Sequence, residues 1–176
     1  MTHNQNEPSL LPEEEYFKRL QTFPTIFREL IDFAEGENGH EVLLEMRKED
    51  DPFFGGRYAT HGSTVLMRET FQEFWARHAQ CESHIPVDTL NAPPWIFCGE
   101  VSSPNVIRHH GSGGVFARYW KNRPENANGE WHAINTLKEL PIIESIHTTI
   151  ALAVDVLIHK KLPRFVEFLG TDEVDK

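Results

Sequence analysis

The stretch best equipped for chemistry is Arg108-His109-His110-Gly111-Ser112-Gly113-Gly114, followed by Arg118, Lys121, Arg123 and His132. A glycine-rich turn exposes backbone N–H groups that can cradle an anion, and nearby guanidinium groups would strengthen the hold. A histidine fits proton transfer near neutral pH. On this reading His109 or His110 is the acid/base, Arg118 and Arg123 bind charge, and His132 completes the site from a neighbouring strand. Adjacent residues of a strand point to opposite faces, so at most one of His109 and His110 can join a given site. Neither GxxxxGK[ST] nor GxGxxG is present, so no established phosphate fingerprint applies. The plainer account is a hairpin loop beside a solvated basic edge strand.

Other chemistry is sparse. Glu144 and His147 have the i, i+3 spacing of half a carboxylate-bridged metal site, but the only similar pair, Glu37 and His40, lies in a Gly-Asn turn region. Asp155 and His159 are spaced to meet on a helix surface. Of the two cysteines, Cys98 sits in the apolar run PWIFCGE and reads as a small buried hydrophobe, and Cys81 follows a helix. GxSxG, HExxH and CxxC are absent. The expectation is therefore no metal and no cofactor.

Aromatic residues offer a different use. Trp75, Trp95, Trp120 and Trp131, with 12 phenylalanines and three tyrosines, are enough to supply interface anchors as well as a core. Trp95, Arg108, Arg118, Trp120, Lys121 and Arg123 are the candidate binding residues. Core packing is the commoner fate of any single aromatic.

The elements that would position these residues are read from periodicity. Residues 1–11 read as an arm, 12–170 as one α+β domain and 171–176 as a tail. Residues 12–36 look helical, with Tyr16, Leu20, Phe23, Phe27, Leu30, Ile31 and Ala34 on one face and Pro24 as a kink or a second start. His40–Lys48 reads as a strand. A helix is expected from Thr64 to Cys81, with a strand over Tyr58–Met67 as the competing reading. Runs from Pro93, Asn105, Gly114 and Glu130 look like an antiparallel meander, turning at 111–114 and 124–129. The third run alternates Val115, Ala117, Tyr119 against Phe116, Arg118, Trp120, as in a sheet with one wet face. The C-terminal run is helical, with Ile143, Ile146, Ile150, Ala153 and Leu157 as a stripe, and a short helix over Arg164–Leu169 ends it. The expected fold is thus an antiparallel sheet of about four or five strands, mainly 93–137, covered by N-terminal and C-terminal helices.

Composition narrows the function. The 176 residues are 39% hydrophobic and carry a formal charge of −10, enough apolar content for a core. Residues 1–56 hold a net −8 and residues 101–138 a net +3. A surface this negative repels nucleic acid and favours a basic protein partner. No run has the 18 or so uncharged apolar residues of a membrane span, and the N-terminus lacks the layout of a secretory signal, so a cytoplasmic protein is expected. With no catalytic constellation evident, the favoured reading is a non-catalytic acidic interaction module: an inhibitor, adaptor or assembly subunit acting on a basic or nucleic-acid-handling partner. Self-association through the C-terminal helix is a further expectation. The alternative is a small enzyme or ligand-binding domain for an anionic substrate, using His109, His110 or His132 and the arginines.

Overall fold

The computed structural model describes residues 14, 15, 18, 25–37, 39–66, 68–85, 92–103 and 111–168. Its centre is the long strand β1 (Thr25–Gly36), which turns at Glu37 into β2 (Gly39–Met46). Short strands β3 (Tyr58–Ala59) and β4 (His61–Thr64) precede helix α1 (Phe71–His78), which runs on as a π turn over Ala79–Ser83. Strands β5 (Ile96–Ser103), β6 (Gly111–Trp120) and β7 (Glu130–Ala133) follow. A 3-10 turn (Ile134–Glu139), helix α2 (Glu144–Leu157) and strand β8 (Arg164–Glu167) complete the order.

The eight strands form one mixed sheet, ordered β3-β2-β1-β6-β5-β8, with β4 also paired to β1 and β7 to β2. Two pairings are parallel: β1 with β6 over Thr25–Ala34 and Gly111–Trp120, and β5 with β8. The α+β class holds. The sheet is larger than the expected four or five strands, however, and it is mixed.

Burial explains why β1 is a strand. Ile31 and Phe33 pack on one face with Val42, Leu44, Val101, Val115 and the α2 residues Ile146, Ile150 and Ala153. Leu30 and Ala34 pack on the other face, with Phe74 and Trp75 of α1 in one group and with Leu43, Ile85 and Trp120 in another. A strand buried on both faces reads as a nearly continuous apolar run, which also satisfies a helical period. Glu14, Glu15 and Lys18 are helical, but the expected helix does not extend over Thr25–Gly36, and among the described residues it is α1 that covers that side of the sheet.

Three other expectations are corrected. The segment Gly111–Gly114 is no turn but the first third of β6, where a Cβ at Gly113 would lie 2.2 Å from the Phe27 carbonyl oxygen of the neighbouring strand. The helix after β4 begins at Phe71, not Thr64. Thr70 caps it with the Glu73 N–H donating to Thr70 Oγ1 and the Thr70 N–H donating to Glu73 Oε2. The competing strand reading was right for 58–59 and 61–64. Residues Arg164–Glu167 form β8, not a helix, because the open edge of β5 takes them up in parallel. The α2 stripe lies as expected, and its apolar side is spent on the chain's own core. No helix among the described residues is long and apolar enough to cross a membrane.

Candidate active site at the fork of β1

Strand β1 changes partner along one edge. Residues Phe27–Leu30 pair with β4, whereas Phe33–Gly36 pair with β2. The sheet forks between them, and polar side chains gather at the fork. Glu29 lies opposite Gly62, whose missing side chain leaves room: a Cβ there would sit 2.7 Å from the Glu29 carboxylate oxygens. Thr60 Oγ1 donates to Glu29 Oε2 at 2.7 Å. Burial pushes the Glu29 carboxyl up to about 7, against the pull of Thr60 and Arg47.

Beside it, on the α1 side, His61 of β4 is buried with its Nε2 4.0 Å from Glu45 Oε2 of β2. Its ring meets that of His78, the last residue of α1, at 6.1 Å between centroids. Burial lowers both imidazoles, His78 to about 3, with His61 and Arg118 adding repulsion there. Among the described residues none of the four ring nitrogens has a side-chain hydrogen-bond partner. Glu82, on the π turn that continues α1, accepts from Ser63 Oγ at 3.4 Å, and its carboxyl is raised by burial and by Glu45. Asn128 pins this turn from the β6–β7 connection, with Nδ2 donating to the Glu82 carbonyl and its backbone N–H to that of Ser83, both at 2.9 Å.

Glu29, cross-strand from Gly62, lies on the sheet face of Ile31 and Phe33, whereas His61, cross-strand from Leu30, lies on the α1 face with Glu45, His78 and Glu82, so the two raised carboxyls, Glu29 and Glu82, stand on opposite faces of the fork. Carboxyls raised by burial have the properties general acid/base chemistry needs near neutrality. Among the described residues no group of three or more His, Cys, Asp or Glu side chains is arranged to hold a metal ion.

The residues singled out in the sequence fall elsewhere. Arg108, His109 and His110 lie outside the described residues. Arg118 is buried on β6, its Nε donating to Asp32 Oδ1 at 2.5 Å, and Trp120 Nε1 donates to the same oxygen at 2.5 Å. The Arg118 guanidinium lies over Trp95 at 4.2 Å and Trp120 at 4.5 Å, and Trp95 stacks on Trp75. Arg123 forks onto Glu41, Nε to Oε2 at 2.7 Å and Nη2 to Oε1 at 2.6 Å. Arg118 and Arg123 are thus each spent on a carboxylate, and Lys121 is exposed. His132 lies opposite Val42, which packs toward α2, while Arg118 and Trp120 pack toward α1. His132 and Arg118 therefore sit on opposite faces and cannot share a substrate. His132 instead meets Tyr58 edge-on at 4.7 Å. Trp95, Arg118 and Trp120 do come together, as a largely buried ladder.

Cys98 is buried, and desolvation lifts its thiol to about 11. Asp155 and His159 meet at 3.2 Å on the surface of α2, where Lys161 and Arg164 also reach Asp155. The fork residues Glu29, Glu45, His61, His78 and Glu82 escaped the sequence reading. The signals available were slight: a glutamate among the apolar residues of β1, which also carries Arg28, Asp32 and Glu35, and a histidine flanked by Thr60 and Gly62.

No sequence-family model and no curated protein matches the chain. Solved structures do. The NUDIX domain of Shewanella oneidensis NrtR, complexed with ADP ribose, superposes with a TM-score of 0.61 at 14% identity over 84% of this chain and 99% of that one. A mutT/nudix family protein from Listeria innocua gives 0.63 at 17% identity over 78% and 97%. The C-terminal domain of mouse MUTYH, crystallised with human PCNA, gives 0.58 at 15% identity over 76% and 89%. At such identities the likeness defines the architecture: this chain has the fold of Nudix proteins. It also corrects the expectation of a non-catalytic inhibitor or adaptor. The structures that share the fold include a Nudix hydrolase from M. Smegmatis and a domain complexed with ADP ribose.

Proposed function

We propose that this chain is a small enzyme or ligand-binding domain for an anionic, phosphate-bearing ligand of the ADP-ribose kind, acting in the cytoplasm. What carries the reading is its fold, shared along nearly the whole length of a domain that binds ADP ribose. The fork on β1 supports it. Glu29, with its carboxyl near 7, is the group poised to exchange a proton at physiological pH. Glu82, its carboxyl also raised by burial, stands on the other face of the fork beside Glu45, as a second acceptor for a proton from water attacking a phosphate-ester or anhydride bond.

The test is direct. The purified chain is incubated with ADP ribose over a range of pH and divalent-ion conditions, and release of AMP is followed by chromatography. Turnover that disappears in Glu29→Gln while binding persists supports hydrolysis at the fork. Binding without turnover in the unaltered chain reduces the proposal to a ligand-binding domain. Absence of both rejects it.

A further inference from the structure

Large apolar side chains are exposed together near the start of α1. Phe71, the first residue of the helix, is 48% exposed, Phe97 of β5 is 46% exposed and Ile26 of β1 is 69% exposed. Half-buried Phe116 of β6 joins them, its ring 6.1 Å from that of Phe71 and 5.4 Å from that of Phe97. Phe97 and Phe116 are register partners across β5 and β6. Beside them Gly114 leaves space, for a Cβ there would lie 2.8 Å from the Phe116 ring and 3.6 Å from that of Phe97.

The mutual contacts of these rings are edge-on or tilted, at 74° and 58°, so none of the three is covered by stacking on another. The floor beneath is stiff, since Trp75 touches both Phe71 and Phe116 edge-on and stacks on Trp95 at 5.0 Å. The Arg28 guanidinium lies over the rings of Phe71 and buried Phe74, 4.5 and 4.6 Å from their centres, and so backs one face of Phe71 from inside. Grouped exposure of this kind needs an occupant, because the chain's own core gains nothing from it.

We propose that Phe71, Phe97 and Phe116, bordered by Ile26 and backed by Arg28, form the subsite that holds the flat ring of the ligand, a nucleobase. This rests on the function proposed above. Every base has a π-face, and aromatic side chains bind such faces by stacking. The geometry suits a ligand with two ends. Phe71 opens α1 and Glu82 lies on the turn that continues it, eleven residues and roughly 16 Å further on by helical rise. A base alone does not bridge that span, whereas a base joined through a diphosphate to a second group extends toward the fork.

Calorimetric titration with adenosine, ADP ribose and ribose 5-phosphate tests the assignment on the unaltered chain and on Phe97→Ala, Phe71→Ala and Phe97→Trp. Phe97 is exposed, so its replacement leaves the core intact, and circular dichroism confirms the fold of each variant. The expected result is a loss of about tenfold in adenosine and ADP-ribose affinity in either alanine variant, toward the lower end of what one stacked base contributes. Phe97→Trp retains binding, and ribose 5-phosphate is unaffected throughout. Alanine variants that bind ADP ribose as the unaltered chain does would overturn the subsite while leaving the proposed function standing. Phe97-dependent adenosine binding with no turnover, and no gain in affinity from the diphosphate, would instead keep the subsite and reject action at the fork. An unaltered chain that binds none of the three overturns both.

Discussion

Asp32 and Arg118 lie directly opposite each other on the parallel strands β1 and β6, joined by a 2.5 Å hydrogen bond between residues 86 positions apart. Both are buried, with side chains 0% and 3% exposed. Trp95 and Trp120 flank the guanidinium, and Trp120 shares the Asp32 oxygen. Such a pair holds two central strands in one register, since slipping by a residue would leave two desolvated charges apart.

Arg118→Met is therefore expected to destabilise the chain by about 3–5 kcal/mol, because the Asp32 carboxylate stays buried with only an indole N–H to answer it. Asp32→Asn combined with Arg118→Met recovers a large part of that loss. Urea denaturation of the single and double variants measures the difference, and equal losses in the two would refute the ion-pair account.

Acid should weaken the fold through the two buried imidazoles. The folded-state pKa of His78 lies at about 3 and that of His61 is also lowered, both below the ordinary value of 6.5. The unfolded chain then binds more protons, so this stabilisation is complete above pH 6.5 and is lost as pH falls toward 3. Each imidazole that stays neutral while its unfolded counterpart charges costs about 1.4 kcal/mol per pH unit. His78→Phe, stacked against Phe74 as the imidazole is, should flatten the stability profile between pH 6 and 4 in denaturant melts.

Glu29 titrates in the opposite sense. Its folded pKa of about 7 exceeds the ordinary 4.5, so its contribution is fully present below pH 4.5 and is lost as pH rises through 7. Glu29→Gln keeps the acceptor for Thr60 and removes the charge. It should be more stable than the unaltered chain at pH 8, equal to it near pH 4, and inactive in the AMP-release assay. A variant no more stable at pH 8 would place the Glu29 carboxyl in its ordinary range.

Gly113→Ala tests the reading of 111–114 as strand. A methyl group placed 2.2 Å from the Phe27 carbonyl oxygen forces β1 and β6 apart, at a cost of about 1–3 kcal/mol or more. In a solvent-exposed turn the same change would be nearly silent. Thermal melts of Gly113→Ala beside Gly39→Ala, a turn glycine with nothing near its would-be Cβ, separate strand crowding from backbone preference.

The amino-acid order by itself determined what depends on neighbours along the chain. It marked β2, β5 and β6 as strands through short β-prone runs, α2 as an apolar helix through its 3.6-residue stripe, Cys98 as a buried thiol and Asp155–His159 as a surface pair. Tertiary structure decided what depends on which strands meet. The run Thr25–Gly36 suits helix and strand equally by periodicity, and only β6 on one side with β4 and β2 on the other makes it the central strand. The same pairings turn a glycine cluster from loop into sheet and convert Arg118 from a free cation into the partner of Asp32. They also bring Glu29, Glu45, His61, His78 and Glu82, from five separate elements, around one fork. Period and propensity act within a few residues, whereas register across a sheet is settled by burial and hydrogen bonding between segments far apart in sequence.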